Sequence, residues 1–173
     1  GSECNNCSRL QLLHSEPKHL YDSSGTVLHT RDILLAEFDR IDILVNHHPS
    51  KVSSGSAGRR QTAMGRMTGV IDSLRALGHT GILAVGDFND DVWPREGPRR
   101  PEEGTIKYNG VWEKIDGFFA FGDLSVTESV LSAPLLSEPD RSFGGTKPRR
   151  SYIGPRWNGG ISDHYPLVLS VVY

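Results

Sequence analysis

The sequence has little cysteine and no long apolar run. Its only two cysteines are Cys4 and Cys7 in a chain of 173 residues, too few to assign a redox compartment. No apolar stretch reaches the length needed to cross a bilayer, and no secretory signal is recognisable. We therefore expect no membrane span, and we assign no cellular compartment.

The chain also lacks a strong charge of either sign. A formal net charge of −2 gives no general attraction to nucleic acid or to an anionic membrane. The length and the mixture of apolar and charged residues are typical of one globular domain. Basic residues nevertheless cluster locally, at Arg59, Arg60 and Arg66, at Arg95, Arg99 and Arg100, and at Lys147, Arg149 and Arg150.

The first residues are polar and carry the two cysteines. We expect residues 1–9 to be a flexible N-terminal segment, with Gly1 and Ser2 as a cleavage scar, and the domain itself to occupy residues 10–173. With His14 and His19, the cysteines spell C-x2-C-x6-H-x4-H, whose outer spacings suit zinc. The gap between the pairs is shorter than a zinc-finger loop requires. A frayed terminus or a local disulfide is the favoured alternative to a small zinc-binding regulator.

Hydrophobic periodicity predicts strands flanking one helix in the first half of the chain. Residues 10–13 form a short apolar run, and residues 14–30 have the Pro and Gly content of a loop. Two strands, at 31–38 and 41–47, are separated by a tight turn and predict an antiparallel hairpin. Residues 59–77 follow a helical period and lead into an apolar strand at 82–85. Strand, helix and strand in this order predict a parallel crossover.

The second half alternates strands with long irregular segments. Residues 91–110 predict a surface loop, 111–120 and 124–130 predict strands, and 131–160 show little regular pattern. Residues 167–172 predict a final strand. A long loop in a compact domain is often functional, and this one interleaves aromatic with basic side chains. That mixture suits a ligand with a phosphate and a flat or sugar part, so the candidate substrate-binding residues are Lys147, Arg150, Tyr152 and Trp157.

Polar residues directly follow the apolar strand at 82–85. Asp87 and Asn89 are two residues apart, so on an extended backbone their side chains point to the same side. Asp87 offers a carboxylate, and Asn89 offers both an amide donor and an acceptor. This pair suits a divalent cation and a phosphate group, although an ordinary capped turn has the same sequence.

Four separated positions share this pattern of polar residues at predicted strands or strand edges. They are His47, the pair Asp87 and Asn89, Asp116, and the pair Asp163 and His164. Each could be structural when taken alone, His47 as a packed histidine and Asp116 as half of an ion pair. Their order along the chain is what makes a shared site the better interpretation.

The motifs Asn-His-His-Pro-Ser, Gly-Asp-Phe-Asn-Asp, Trp-Glu-Lys-Ile-Asp and Ser-Asp-His-Tyr-Pro, in this order, resemble the C-terminal half of the endonuclease/exonuclease/phosphatase superfamily. The resemblance covers residues 10–173. It implies a four-layered α/β sandwich of the deoxyribonuclease I-like type, with only part of it present. It also implies a divalent-metal-dependent phosphoester hydrolase, such as a nuclease or phosphodiesterase, acting on nucleic acid or a small phosphodiester.

The resemblance assigns roles to the motif residues. Asp87 would orient and deprotonate the attacking water, and Asn89 would donate to the phosphoryl oxygens. His47 would stabilise the charge that develops on phosphorus. His164 would bind the scissile phosphate or act as an acid or base, with Asp116 or Asp163 fixing its tautomer. The expected metal ligands are Asp163, Asp87 and Asn89, and hard oxygen donors favour Mg²⁺ or Mn²⁺ over zinc.

One part of the family pattern has no counterpart in this sequence. The family's first half carries a strand ending in Asn and a Gln-Glu motif whose Glu is the main metal ligand, and Glu3, Glu16 and Glu37 all lack that context. We therefore expect an incomplete domain, covered by a missing N-terminal half or by a second copy of the chain. A non-catalytic binding module that retains the fold is the alternative function.

Overall fold

The structure is a computed structural model that describes residues 10–22, 24–28, 30–52, 54–92 and 103–173. The possible zinc ligands Cys4 and Cys7, and the expected flexible segment 1–9, lie outside these residues. The elements in chain order are β1 Leu12–Lys18, β2 Ile33–Phe38, β3 Asp42–His47, α1 Ser56–Ala76, β4 Gly81–Asp87, β5 Ile106–Tyr108, β6 Val111–Glu113, β7 Asp116–Gly122, β8 Ser125–Val130, β9 Ser137–Pro139, β10 Thr146–Pro148, β11 Tyr152–Ile153, β12 Arg156–Trp157 and β13 Leu167–Val172.

The main sheet has five strands in the order β1-β2-β3-β4-β7. The first three strands form an antiparallel meander, which contains the predicted hairpin. Strands β3 and β4 are parallel and are joined by α1, as the predicted crossover requires. Strand β7 adds to β4 in the antiparallel direction. The sheet therefore places the carboxyl ends of β3 and β4 beside the amino end of β7.

Helix α1 packs its apolar stripe against one face of this sheet. Met67, Ile71 and Leu74 are buried at helical spacing and share a core with buried side chains of β2, β3 and β4. The helix begins at Ser56, three residues before the predicted start, where Arg60 Nη1 donates to Ser56 Oγ at 3.1 Å. This first turn is polar, so hydrophobic periodicity could not detect it.

The opposite face of the main sheet carries a second layer, the antiparallel pair β8–β13. A cavity of about 490 Å³ separates the two layers, lined by Val85 and Gly117 on one side and by Leu167 and Leu169 on the other. Helix, five-stranded sheet and two-stranded sheet make three layers of α and β structure. The expected fold class, part of a deoxyribonuclease I-like α/β sandwich, is confirmed.

Two predicted boundaries were wrong. Strand β1 continues through Pro17 to Lys18, where a loop was expected. Pro17 is tolerated because β1 is an edge strand of the sheet, where a missing N–H costs no ladder bond. The single strand expected at 111–120 is instead two strands, β6 and β7, with Lys114 and Ile115 between them.

Short hairpins occupy segments that were expected to be irregular. Part of the expected loop 91–110 forms β5, which pairs with β6, while residues 93–102 lie outside the described chain. Within 131–160, β9 pairs with β10 and β11 pairs with β12. Strands of two or three residues carry too few positions for an alternating pattern to be recognised.

In the part of the chain that the structure describes, no helix combines the length and apolar character needed to cross a bilayer.

Candidate active site

Three predicted site residues lie side by side across three neighbouring strands. The parallel register of β3 and β4 pairs His47 with Asp87. The antiparallel register of β4 and β7 pairs Asp87 with Asp116. His47, Asp87 and Asp116 therefore form one row at an edge of the sheet, and the hydrogen-bond register of the sheet fixes their order.

His164 joins this row from the loop that precedes β13. Its Nδ1 lies 2.7 Å from Oδ2 of Asp116, which identifies Asp116 as the carboxylate that contacts the imidazole. Nε2 of His47 lies 3.4 Å from Oδ2 of Asp87. Potential ligand atoms of Asp87, Asp116 and His164 all lie within 4.8 Å of one another. The four residues form one compact cluster of two carboxylates and two imidazoles.

Burial and neighbouring charge shift the pKa of Asp87 upward. Burial is the main cause, and the nearby carboxylate of Asp116 adds to it. The backbone N–H of Asn89, which donates to Asp87 Oδ1 at 2.8 Å, acts in the opposite direction. A carboxylate whose pKa is raised in this way accepts a proton more readily than an exposed one.

The two histidines of the cluster are shifted in opposite directions. Burial lowers the pKa of His47, and the negative charge of Asp87 compensates only in part. Burial also lowers the pKa of His164, but the hydrogen bond and charge of Asp116, with Asp87 and Asp163, outweigh it, and the net pKa is raised. Neutral His47 and protonated His164 can therefore coexist over a range of pH, which separates a neutral from a cationic imidazole within one site.

Asn89 lies in the turn after β4 and has two structural contacts. Its backbone has a positive φ of 48°, and its Nδ2 donates to the carbonyl oxygen of His48 at 2.9 Å. The residue is 7% exposed, so its amide mainly ties the turn to the end of β3. The amide has a second N–H, and the expected contact with phosphoryl oxygens stays a prediction.

Two buried residues behind the row were not chosen as candidates from the sequence. His48 is 2% exposed, and its Nε2 lies 3.4 Å from Oδ1 of Asn46. Asn46 in turn donates from Nδ2 to the carbonyl oxygens of Leu44 and Val85, at 2.9 and 3.3 Å. These bonds join the ends of β3 and β4. The polar run 46–48 was the available signal, but burial could not be read from it.

The expected metal ligands are only partly brought together. Asp87 belongs to the cluster, and the backbone N–H of Asn89 donates to Asp87. The carboxylate of Asp163 instead contacts a residue outside the cluster. Its Oδ2 lies 3.3 Å from Nη2 of Arg150. Asp116 and His164 take its place beside Asp87. Asp87, Asp116 and His164 together form a group of side chains that could hold a divalent metal ion.

The four predicted substrate-binding residues separate into two pairs. Lys147 and Arg150 line a cleft that also reaches Asp163. Tyr152 and Trp157 pair across the small β11–β12 hairpin, with their rings edge to face at 5.1 Å. Both aromatic side chains are more than half exposed.

Comparison with known proteins identifies the fold. No model of a known protein family matches the chain, and no curated protein sequence matches it. Solved structures do match. TDP2 from Caenorhabditis elegans superposes with a TM-score of 0.60 at 15% identity, over 94% of this chain and 50% of that one. An endonuclease/exonuclease/phosphatase family protein from Bacteroides thetaiotaomicron superposes with a TM-score of 0.54 at 12% identity, over 94% and 66%.

Sphingomyelinase C from Streptomyces griseocarneus gives a TM-score of 0.58 at 13% identity, over 94% of this chain and 65% of that one. The chain thus has the fold of the endonuclease/exonuclease/phosphatase proteins, the deoxyribonuclease I-like α/β fold, as its motifs indicated. It spans about half the length of the C. elegans TDP2. Phosphoesterases are among the proteins that share this fold.

Proposed function

We propose that this chain is a divalent-metal-dependent phosphoester hydrolase of the nuclease or phosphodiesterase type. The observation that carries the proposal is the row His47–Asp87–Asp116, completed by the hydrogen bond that His164 Nδ1 donates to Asp116 Oδ2. Two carboxylates and two imidazoles converge at one edge of the sheet, as hydrolysis of an anionic ester requires. The shared fold with phosphoesterases supports the same reaction class.

Asp87 is the proposed base. It would orient a water molecule and accept its proton as the water oxygen attacks phosphorus. The P–O bond to the leaving group then breaks, and the leaving oxygen takes a proton from His164. The raised pKa of Asp87 favours acceptance of the proton, and the raised pKa of His164 keeps the imidazole protonated before the transfer. His47 and the free amide N–H of Asn89 would donate to the phosphoryl oxygens.

The carboxylates of Asp87 and Asp116 would hold Mg²⁺ or Mn²⁺, while protonated His164 would lie beside them as the acid and not as a ligand. The carboxylates fit a cation, because they repel each other: the charge of Asp116 adds to the burial that raises the pKa of Asp87. A bound divalent cation would supply positive charge opposite the phosphoryl group. Asp163 stays a proposed contributor whose carboxylate would have to leave Arg150.

The experiment is hydrolysis of bis-(p-nitrophenyl) phosphate with Mg²⁺ or Mn²⁺. We expect turnover that a chelator removes and that His164→Ala and Asp87→Asn each lower by at least about 100-fold. Circular dichroism would establish that each variant is folded. The absence of turnover from a folded chain would reject the proposal and favour the alternative, a binding module that retains the fold.

A covering partner is proposed as well. On the face of the main sheet away from α1, Leu34 of β2 and Val45 of β3 are paired in register and are 44% and 43% exposed. An apolar strip of this kind supports the expected contact with a preceding segment or with a second copy. Sedimentation equilibrium distinguishes these two partners. A dimer that the unaltered chain forms and the Val45→Asp variant does not form would identify a second copy as the partner.

A further inference from the structure

A polar cleft lies beside the catalytic cluster. It encloses about 250 Å³ between the turn that joins β5 to β6 and the β9–β10 hairpin. Asp163 forms part of its wall and directly precedes His164 in the chain. A group bound in this cleft would therefore adjoin a phosphoryl group held at the cluster.

One wall of the cleft is fixed by a buried ion pair. Nζ of Lys107 lies 3.0 Å from Oδ2 of Asp140, with side chains only 6% and 4% exposed. Lys107 also donates to the carbonyl oxygen of Gly144 at 2.6 Å. Asp140 accepts from the backbone N–H groups of Ser142 and Phe143 at 3.3 Å. These two charges hold the β9–β10 hairpin against β5, and their hydrogen-bonding capacity is largely used.

Two other cations of the cleft keep unused donors. Nζ of Lys147 lies 3.8 Å from Oε1 of Glu138, beyond hydrogen-bonding distance. The other carboxylate oxygen of Glu138 accepts from Asn158 at 2.8 Å. Among the described residues, Arg150 Nη2 donates to Asp163 Oδ2 at 3.3 Å, and the Arg150 side chain is 46% exposed. Lys147 and Arg150 can therefore donate several hydrogen bonds to a ligand in the cleft.

We propose that this cleft is a subsite for a second phosphate group of the substrate, one that is not hydrolysed. The inference rests on the proposed function, because it assigns the cleft to the same substrate. Lys and Arg with free donors on one wall are the usual means of phosphate recognition. The carboxylates of Glu138 and Asp163 also line the cleft, so a bound phosphate would have to draw Lys147 and Arg150 away from them. The favoured substrates are nucleotide bisphosphates and nucleic-acid strands, in which phosphates follow one another closely.

The test measures binding without catalysis. Isothermal titration in the presence of chelator would compare thymidine 3′,5′-bisphosphate with thymidine 5′-monophosphate. We expect the bisphosphate to bind at least about tenfold more tightly, the value of one charge-assisted hydrogen bond. The double variant Lys147→Gln, Arg150→Gln should remove this preference. The matched control is Arg75→Gln, which removes an exposed cation at the end of α1 and should keep the preference.

Equal affinity of the unaltered chain for the two nucleotides would overturn the proposal, and so would an unchanged preference in the double variant. A single-stranded thymidine trinucleotide forms a third arm. Binding as tight as the bisphosphate would identify nucleic acid as the source of the second phosphate, and weaker binding would identify a small bisphosphate; both support the subsite. A bisphosphate preference without hydrolysis of the aryl diester would support the subsite and reject the proposed activity.

Discussion

The hydrogen bond between His164 Nδ1 and Asp116 Oδ2 connects the last strand region to β7 across the site. It stabilises the imidazolium form, so the pKa of His164 lies above its ordinary value of 6.5. The stability that this pair contributes is therefore complete below pH 6.5 and is lost as the pH rises through the folded pKa. The same bond keeps His164 protonated for transfer to a leaving group.

Asp116→Asn should lower the pKa of His164, because it removes the charge that holds the proton. The alkaline limb of the pH–rate profile should move to lower pH with it. Titration of the histidine Cε1–H signals by NMR measures the first effect, and steady-state kinetics measures the second. Asp32→Asn is the control, since Asp32 makes an equivalent 2.8 Å contact with exposed His19. An unchanged pKa of His164 in Asp116→Asn would contradict the assignment.

His48 makes a prediction about acid stability. Burial, together with the charges of His47 and Arg60, lowers its pKa to about 4. Between pH 6.5 and about 4 the unfolded chain binds a proton here that the folded chain does not, so stability falls as the pH falls. The slope is about 1.4 kcal/mol per pH unit at most.

His48→Gln should remove this part of the acid dependence. Urea unfolding at pH 7 and pH 5 would show a smaller loss of unfolding free energy in the variant than in the unaltered chain. Equal losses in the two proteins would show that the folded chain binds a proton at His48 as readily as the unfolded chain does.

At the scale of the elements, the close approach of β3 and β4 depends on Gly86. Its φ is +137°, and a Cβ there would lie 1.9 Å from the carbonyl oxygen of Asn46. Gly86→Ala should therefore push apart the strands that carry His47 and Asp87. We expect a loss of more than about 3 kcal/mol of unfolding free energy, together with lost activity.

The control for Gly86→Ala is Gly69→Ala in α1. Nothing lies within 4 Å of a Cβ at Gly69, so alanine there should stabilise the chain by about 1 kcal/mol through helix propensity. Chemical denaturation measures both changes. If Gly86→Ala were as stable as the unaltered chain, the close approach of β3 and β4 would not require glycine at this position.

The elements whose bounds were predicted well are those in which apolar residues recur regularly along the whole element. Helix α1 was expected at 59–77 and occupies Ser56–Ala76, and the final strand has the predicted bounds Leu167–Val172. The short hairpins after β8 were missed, because their pairing depends on tertiary contacts such as the Lys107–Asp140 ion pair. Such contacts cannot be predicted from the residues of the hairpins alone.

Four of the site residues chosen from the sequence lie together in the structure, and their catalytic roles stay predictions. His47, Asp87, Asp116 and His164 were all proposed from motifs, and the structure places them together. The partner of His164 was left open between Asp116 and Asp163. The strand order β3-β4-β7 decides it, because the β4–β7 register places Asp116 in the row. The strand order results from tertiary pairing, so the motifs alone could not predict the partner of His164.

At the scale of the whole molecule, an ion pair joins the two sheets. Lys114, which lies between β6 and β7, is 4% exposed and pairs with Glu128 of β8. Burial lowers the pKa of Lys114, and the charge of Glu103 partly opposes it. An ammonium group buried to this extent needs its carboxylate partner. The contact is two residues from Asp116, so it also supports the end of the site row.

Glu128→Gln should destabilise the chain by about 3 kcal/mol, because buried Lys114 loses its hydrogen-bonded carboxylate and keeps only the charge of Glu103. The double variant Lys114→Met, Glu128→Leu should recover most of that loss, since a well-packed apolar pair needs no counter-charge. Glu113→Gln is the matched control, as the Lys51–Glu113 pair is 41% and 34% exposed and should contribute less than about 1 kcal/mol. Urea denaturation of the four proteins measures these changes. If the double variant were as unstable as Glu128→Gln, packing between the layers would outweigh the buried charge as the source of the effect.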